Sequence, residues 1–236
     1  MQTYVKEYYE WQHDGTLSSA KEIVPFVLEY IQPQSVIDVG CGLGAWLSVF
    51  QEYGVQQIFG VDGAHIDPSM LKIPQNRFSA VDLEKPFHSN AKFDLVVSLE
   101  VAEHLPVASA RTFIDSLVKL GPAVLFSAAI PFQGGLNHIN EQWPEFWARY
   151  FLKHGYEAVD CIRKRIWDNK NVEWWYAQNM LIFAKRDDIL NNPVLKKEYE
   201  NTHVSQLSLV HPRQYLGYIQ SNRTAGHEDR SLSAKG

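Results

Sequence analysis

The stretch Asp38-Val39-Gly40-Cys41-Gly42-Leu43-Gly44 sets a carboxylate two residues ahead of three glycines. Glycines without a Cβ let the backbone turn tightly and approach a ligand, and a helix opening behind them offers free N–H groups. That combination suits a nucleotide-type cofactor. Gly40-Cys41-Gly42-Leu43-Gly44-Ala45 also satisfies the G-x-G-x-x-G/A pattern of dinucleotide sites. Asp62, closing a second apolar run, fits either reading, because a carboxylate there accepts from ribose hydroxyls. Asp38 separates them: it suits a cofactor carrying an ammonium and a sulfonium and would repel a pyrophosphate. Asp82 closes a third run, where it would accept from an adenine amino group. Gly63 and Leu83 follow these two acids.

Two further stretches carry acid–base chemistry. Glu100, Glu103 and His104 lie in one, and His138 and Glu141 in the other, just after Gly134 and Gly135. Histidine exchanges protons near neutral pH, so His104 and His138 are the candidate bases, with Glu103 or Glu141 to orient them. The plainer alternatives are a hydrogen bond that fixes a loop for His104 and an ordinary loop position for His138. Two carboxylates and an imidazole (Glu100, Glu103, His104) also match the donor types that hold magnesium or a transition metal. A third set is aromatic. Trp143, Phe146, Trp147, Tyr150 and Phe151 fit one helical stripe, and most of them read as core. Trp174-Trp175-Tyr176 reads as a loop in which one ring walls an acceptor pocket, with Gln178 following it and His138 as a further acceptor-binding candidate. Arg163, Lys164 and Arg165 read as the solvated edge of a strand rather than a phosphate site.

These residues need a scaffold. Apolar spacing predicts helices over residues 17–31, 44–53, 108–120 and 144–154, with a short helix or arm before the first. Short apolar runs predict strands at 35–39, 57–62, 77–82, 93–99 and 123–128, and an antiparallel pair at 158–167 and 180–185 joined by a loop. Alternating strands and helices predict an α/β fold: a mainly parallel sheet with helices on both faces. Residues 1–186 are expected to form this domain. Residues 187–236 form a polar extension, with 210–219 docking and 221–236 disordered. Ligands of such sheets bind beyond the carboxyl ends of the strands, where both acid–base stretches fall.

The ordered set D-V-G-C-G-L-G, G-V-D, V-D-L and F-D-L-V-V-S-L-E-V-A-E-H-L resembles the successive motifs of class I S-adenosylmethionine-dependent methyltransferases, in particular the ubiquinone-biosynthesis O-methyltransferases. The likeness spans about residues 20–185. It implies a Rossmann-like, seven-stranded sheet with one antiparallel strand. Asp38 and Gly40 to Gly44 would face the cofactor's methionine part, Asp62 the ribose, and Asp82 with Leu83 the adenine. Leu99 and Glu100 would line its other side. The E-V-A-E-H run is associated with a divalent cation in the ubiquinone-type enzymes, yet it occurs also in methyltransferases that need none. The block from L-N-H-I-N-E-Q-W-P to W-W-Y-A-Q-N resembles bacterial methyltransferases thought to act on glycans or small metabolites.

Composition bounds the alternatives. A formal charge of −5 and the lack of a long basic stripe speak against nucleic acid as the acceptor. Cys41 and Cys161 do not read as a disulfide framework. The polar start and the absence of a long apolar run point to a cytoplasmic protein with no membrane partner. The expected function is O-methylation of a small polar molecule or a glycan. N-methylation, a nicotinamide-type oxidoreductase and a non-catalytic cofactor-binding module are the alternatives. Intact glycines and Asp62 weigh against the last.

Overall fold

A computed structural model describes residues 2–220, with side chains from Gly15 onward. The expectations for the aromatic residues of 1–14 and for the 221–236 tail lie outside the described residues. The first element is one helix, α1 (Gln2–Tyr30), rather than an arm and a separate helix. It leads into β1 (Ser35–Val39), buried at every position. Then follow α2 (Ala45–Glu52), β2 (Gln57–Asp62), the short β3 (Phe78–Ala80), β4 (Leu95–Leu99), α3 (Ala110–Leu120) and β5 (Ala123–Ser127). The chain continues through α4 (Pro144–Leu152), β6 (Tyr156–Val159), α5 (Arg163–Ile166), α6 (Trp174–Asn179) and β7 (Leu181–Lys185). Helices α7 (Arg186–Asn191) and α8 (Pro193–Glu200) open the extension, and residues 212–220 are helical.

The seven strands run in the order β3-β2-β1-β4-β5-β7-β6. All pairs are parallel except those of β7, which runs antiparallel to both β5 and β6. This is the expected seven-stranded sheet. Strands buried on both faces must be largely apolar, and β1, β4 and β5 are buried at every position, with Ser35, Asp38, Ser98 and Ser127 as their polar residues. One face is covered by α1 and α2 through Val24, Val27, Trp46 and Phe50. The other is covered by α3 and α4 through Phe113, Leu117, Trp147 and Phe151. The aromatic stripe of α4 thus contributes to the core, with the Phe151 ring stacked on Phe183 at 4.0 Å. Strand order reverses between β1 and β4, and the crevice beyond their carboxyl ends receives the loops that carry Gly40 and Glu100.

Two expectations near the end of the sheet are corrected. The strand expected over 158–167 ends at Val159, and Arg163–Ile166 is a helical turn. Arg163 is not a solvated edge: it is fully buried and pairs with Asp160 through two nitrogens, at 2.9 and 2.6 Å. Its Nη1 donates to the carbonyls of Gln178 and Leu207. A buried guanidinium is tolerable only when its donors are matched this fully. The loop expected at 174–179 is instead α6.

Candidate active site

The glycine loop follows from β1 directly. Gly40 has φ +84°, and a Cβ there would lie 2.3 Å from the Val101 side chain, so no other residue fits between the two switch-point loops. Gly42 has φ +52° and open space where its Cβ would be. Gly44, also left-handed, packs against Ile73 and opens α2. Asp62 ties β2 to this loop, its two oxygens accepting from the N–H of Gly42 at 2.7 Å and of Gly63 at 2.6 Å.

A cavity of about 860 Å³ opens over these groups. Gly40, Cys41, Gly42, Asp62, Gly63, Asp82, Leu83, Leu99, Glu100 and His104 line it, as do Trp175 and Tyr176. Asp38 does not face it. It lies buried under the loop, with Oδ2 unpartnered, and burial together with the nearby Asp62 raises its pKa well above the ordinary range. Burial likewise keeps the Cys41 thiol protonated. Asp82 sits at the rim, past the end of β3 and paired with Lys85 at 2.8 Å, which lowers its pKa.

The loops after β4 and β5 meet beside the cavity, and of their candidate acid–base residues Glu100 and His104 line it while Glu103, His138 and Glu141 stand behind that wall. Glu103 is fully buried and neither of its oxygens has a hydrogen-bond partner; burial, then the neighbouring Glu100, raises its pKa well above 4.5. Its backbone carbonyl accepts from the N–H of Ile139 and Asn140, stitching the two loops together. The rings of His104 and His138 meet edge to face at 4.9 Å. The Nδ1 of His104 lies 3.3 Å from the Asn137 carbonyl, and that of His138 lies 3.1 Å from Glu141 Oε1. Both partners only accept, so each Nδ1 carries a proton, and in the neutral ring Nε2 is the nitrogen that offers a lone pair. Glu141 also accepts from the N–H of Phe132 and Gly134 at 2.7 Å, closing the loop on itself. The structure thus pairs Glu141 with His138, whereas His104 is held by a carbonyl and not by Glu103. The three non-glycine residues with positive φ among the described residues, Glu100, Phe132 and Asn137, all lie in these loops.

One ligand atom each from Glu103, His104 and His138 lies within 4.8 Å of the other two. The expected cation set is thereby altered: His138 joins it, while the Glu100 carboxylate is engaged by Gln133 and Asn179. Of the expected acceptor residues, Trp174 faces a separate small pocket beside Trp167 and His211. Gln178 is fully buried and off the cavity. Adjacent positions on a helix diverge by about 100°, and that separates Trp174 from Trp175. Thr16, Trp46, His65 and Asn137 also line the cavity. No motif marks Thr16, Trp46 or His65, which the packing of α1 against α2 and the turn after Asp62 bring in, whereas Asn137 comes with the loop after β5. Gly135 is a further requirement, since a Cβ there would lie 2.3 Å from His138 Nε2. Gly135→Ala should displace that ring, lowering turnover tenfold or more, by roughly 1.4 kcal/mol. S-adenosylhomocysteine affinity, read by calorimetry, should stay unchanged.

The profile of a methyltransferase domain matches residues 11–179. The chain belongs to this family. Its methyltransferase relatives include the ubiquinone biosynthesis O-methyltransferase of Pseudoalteromonas translucida, 24% identical, with 85% of this chain and 89% of that protein aligned. The mitochondrial counterpart of Dictyostelium discoideum is 26% identical over 47% of this chain and 45% of that protein. The ajmaline N-methyltransferase of Rauvolfia serpentina is 32% identical over 38% of this chain. The chain thus spans less than half of these last two relatives, 45% and 33%. The fold matches the magnesium protoporphyrin IX methyltransferase of Synechocystis with bound S-adenosylhomocysteine (TM-score 0.53, 15% identity, 78% of this chain and all of that one). It also matches the methyltransferase domain of bacterial CtHen1 (TM-score 0.53, 22% identity, 72% of this chain and 98% of that one). S-adenosylmethionine is the cofactor of this methyltransferase fold, which removes the nicotinamide alternative. Among the described residues no helix is long and apolar enough to cross a membrane.

Proposed function

We propose that this methyltransferase transfers the methyl group to a hydroxyl oxygen of a small polar acceptor, and that Glu103, His104 and His138 hold a divalent cation beside it. The observation that carries the reading is the buried, partnerless Glu103 carboxylate with a ligand nitrogen of each of the two imidazoles within 4.8 Å. The donor set fits: neutral imidazoles with Nδ1 hydrogen-bonded outward are the arrangement that orients metal-binding histidines. A bound cation supplies a Lewis acid that makes a hydroxyl more acidic. Asp62 and the glycine loop hold the donor, and Glu141 and Asn137 fix the two rings. Trp175 and Tyr176 wall the cavity from the α6 side.

Burial, and then His138, lower the pKa of His104 below 6.5. A lowered pKa keeps the imidazole neutral, whether it ligates a cation or takes the acceptor's proton. Turnover should therefore hold its plateau as the pH falls through 6.5 and decline only below it. An acid limb at or above 6.5 in a kcat–pH profile contradicts this assignment.

The function is tested by S-adenosylhomocysteine release against a panel of phenols, sugars, amines and ribose-ended RNA, in chelator and after magnesium or manganese is restored. Turnover confined to small hydroxyl compounds and lost in chelator is the expected result. Amines as sole acceptors contradict transfer to oxygen, and RNA contradicts a small acceptor. Undiminished turnover in chelator assigns the proton to His104 alone, a second reading favoured by its place on the cavity wall.

A further inference from the structure

Glu100 hangs from a strained turn (φ +54°) beside the cavity, and its carboxylate is held from behind by side-chain amides. Gln133 Nε2 donates to Oε2 at 3.0 Å, and Asn179 Nδ2 donates to both oxygens, at 3.1 and 3.3 Å. Behind them stands Gln178, fully buried. Its Nε2 donates to Gln133 Oε1 at 3.0 Å and to Asn179 Oδ1 at 3.1 Å. Its Oε1 accepts from the backbone N–H of His211 at 2.8 Å. Primary amides can turn over and exchange their oxygen and nitrogen, so such a network has a direction only if something fixes it. The His211 N–H, which can only donate, fixes the Gln178 end of it, while the Glu100 carboxylate accepts at the other end. The N–H sets the Gln178 oxygen toward itself and the Gln178 nitrogen toward Gln133 and Asn179. Those two must then accept from Gln178 and donate to Glu100.

His211 lies outside the stretch that the family profile covers, residues 11–179. Its segment is anchored independently of the amides: Arg163 holds the Leu207 carbonyl at 2.7 Å, and His211 Nε2 sits 3.0 Å from the Trp167 carbonyl. We propose that Gln178 is a positioning residue for methyl transfer and that the His211 backbone N–H sets its orientation. The C-terminal extension thereby completes the active site by directing two donors at Glu100. The inference rests on Glu100 serving the transfer site.

A double-mutant cycle tests it, since residues acting through one another are not additive. Gln178→Glu keeps the shape and the acceptor for His211 but takes away both donors. It should lower kcat about tenfold, equivalent to roughly 1.4 kcal/mol, with S-adenosylhomocysteine affinity unchanged within about twofold. In a Glu100→Gln background the same change should lower kcat no further. A second pair covers the case in which Gln178→Glu fails to fold. His211→Ala keeps the N–H and should stay within about threefold of the parent. His211→Pro deletes the N–H at a position already constrained by Pro212 and should match Gln178→Glu. Additive losses in the cycle, or equal behaviour of His211→Ala and His211→Pro, overturn the proposal. Unchanged kcat in Glu100→Gln alone overturns instead the reading of Glu100 on which it rests.

Discussion

Glu103→Gln will abolish methyl transfer while making the metal-free protein more stable. The carboxylate is buried without a partner, a state that costs about 1–3 kcal/mol for an unsatisfied polar group and more for a charge. Its raised pKa sets the sign. Below the ordinary value of 4.5 both folded and unfolded chains hold the proton. As the pH rises past that value the unfolded chain releases it first, and stability falls until the folded pKa is passed. Glutamine removes that slope, so the variant's advantage should be small near pH 4.5 and grow toward neutrality. For a chain of this size each kcal/mol shifts Tm by roughly 2–4 °C. Melting curves of both proteins across pH check this, and adding magnesium or manganese should raise Tm only when Glu103 is present. Turnover should fall by at least about a hundredfold, the low end of what one acid–base or metal-binding group contributes. A variant that melts lower at neutral pH in chelator contradicts the account.

Asp62→Ala should weaken S-adenosylhomocysteine binding by about a hundredfold or more. Each Asp62 oxygen takes one backbone N–H and leaves its remaining acceptor capacity facing the cavity. Hydrogen bonds to a charged group contribute roughly 1.5–3 kcal/mol each, so loss of a ribose pair suffices for that factor. The vacated N–H of Gly42 loosens the loop as well. Asp82→Ala is the contrast: its carboxylate is half exposed and already paired with Lys85, so the loss should be a few-fold. Calorimetric titration of both variants measures the difference. Equal losses contradict the separate roles given to the two acids.

The scaffold of the donor half was legible because its residues sit at strand ends. There period and turn chemistry fix the element, and the fold brings Gly40, Gly42 and Asp62 to one cavity. Asp38 shows the limit: its spacing marked it as a cofactor residue, but the carboxylate lies under the loop. The acceptor half depends on long-range meetings. His138 reaches Glu103 and His104 because Ile139 and Asn140 pair with the Glu103 carbonyl, a contact that no local pattern announces. Trp174 and Gln178 read as pocket residues while 174–179 was expected to be a loop. As a helix, the same stretch sends Trp175 and Tyr176 to the cavity and Gln178 into the amide network. Arg163 was misread for a similar reason: its charge marks a surface unless Asp160 and two distant carbonyls are known to surround it.

Transfer to a hydroxyl oxygen at the Glu103, His104 and His138 cluster is the central claim. It is tested most directly by supplying S-adenosylmethionine with a 13C-labelled methyl group and locating the label in the product by NMR. The label is expected on oxygen, in the parent protein and not in Glu103→Gln. A label on nitrogen or carbon, or an equal yield from Glu103→Gln, would contradict the account.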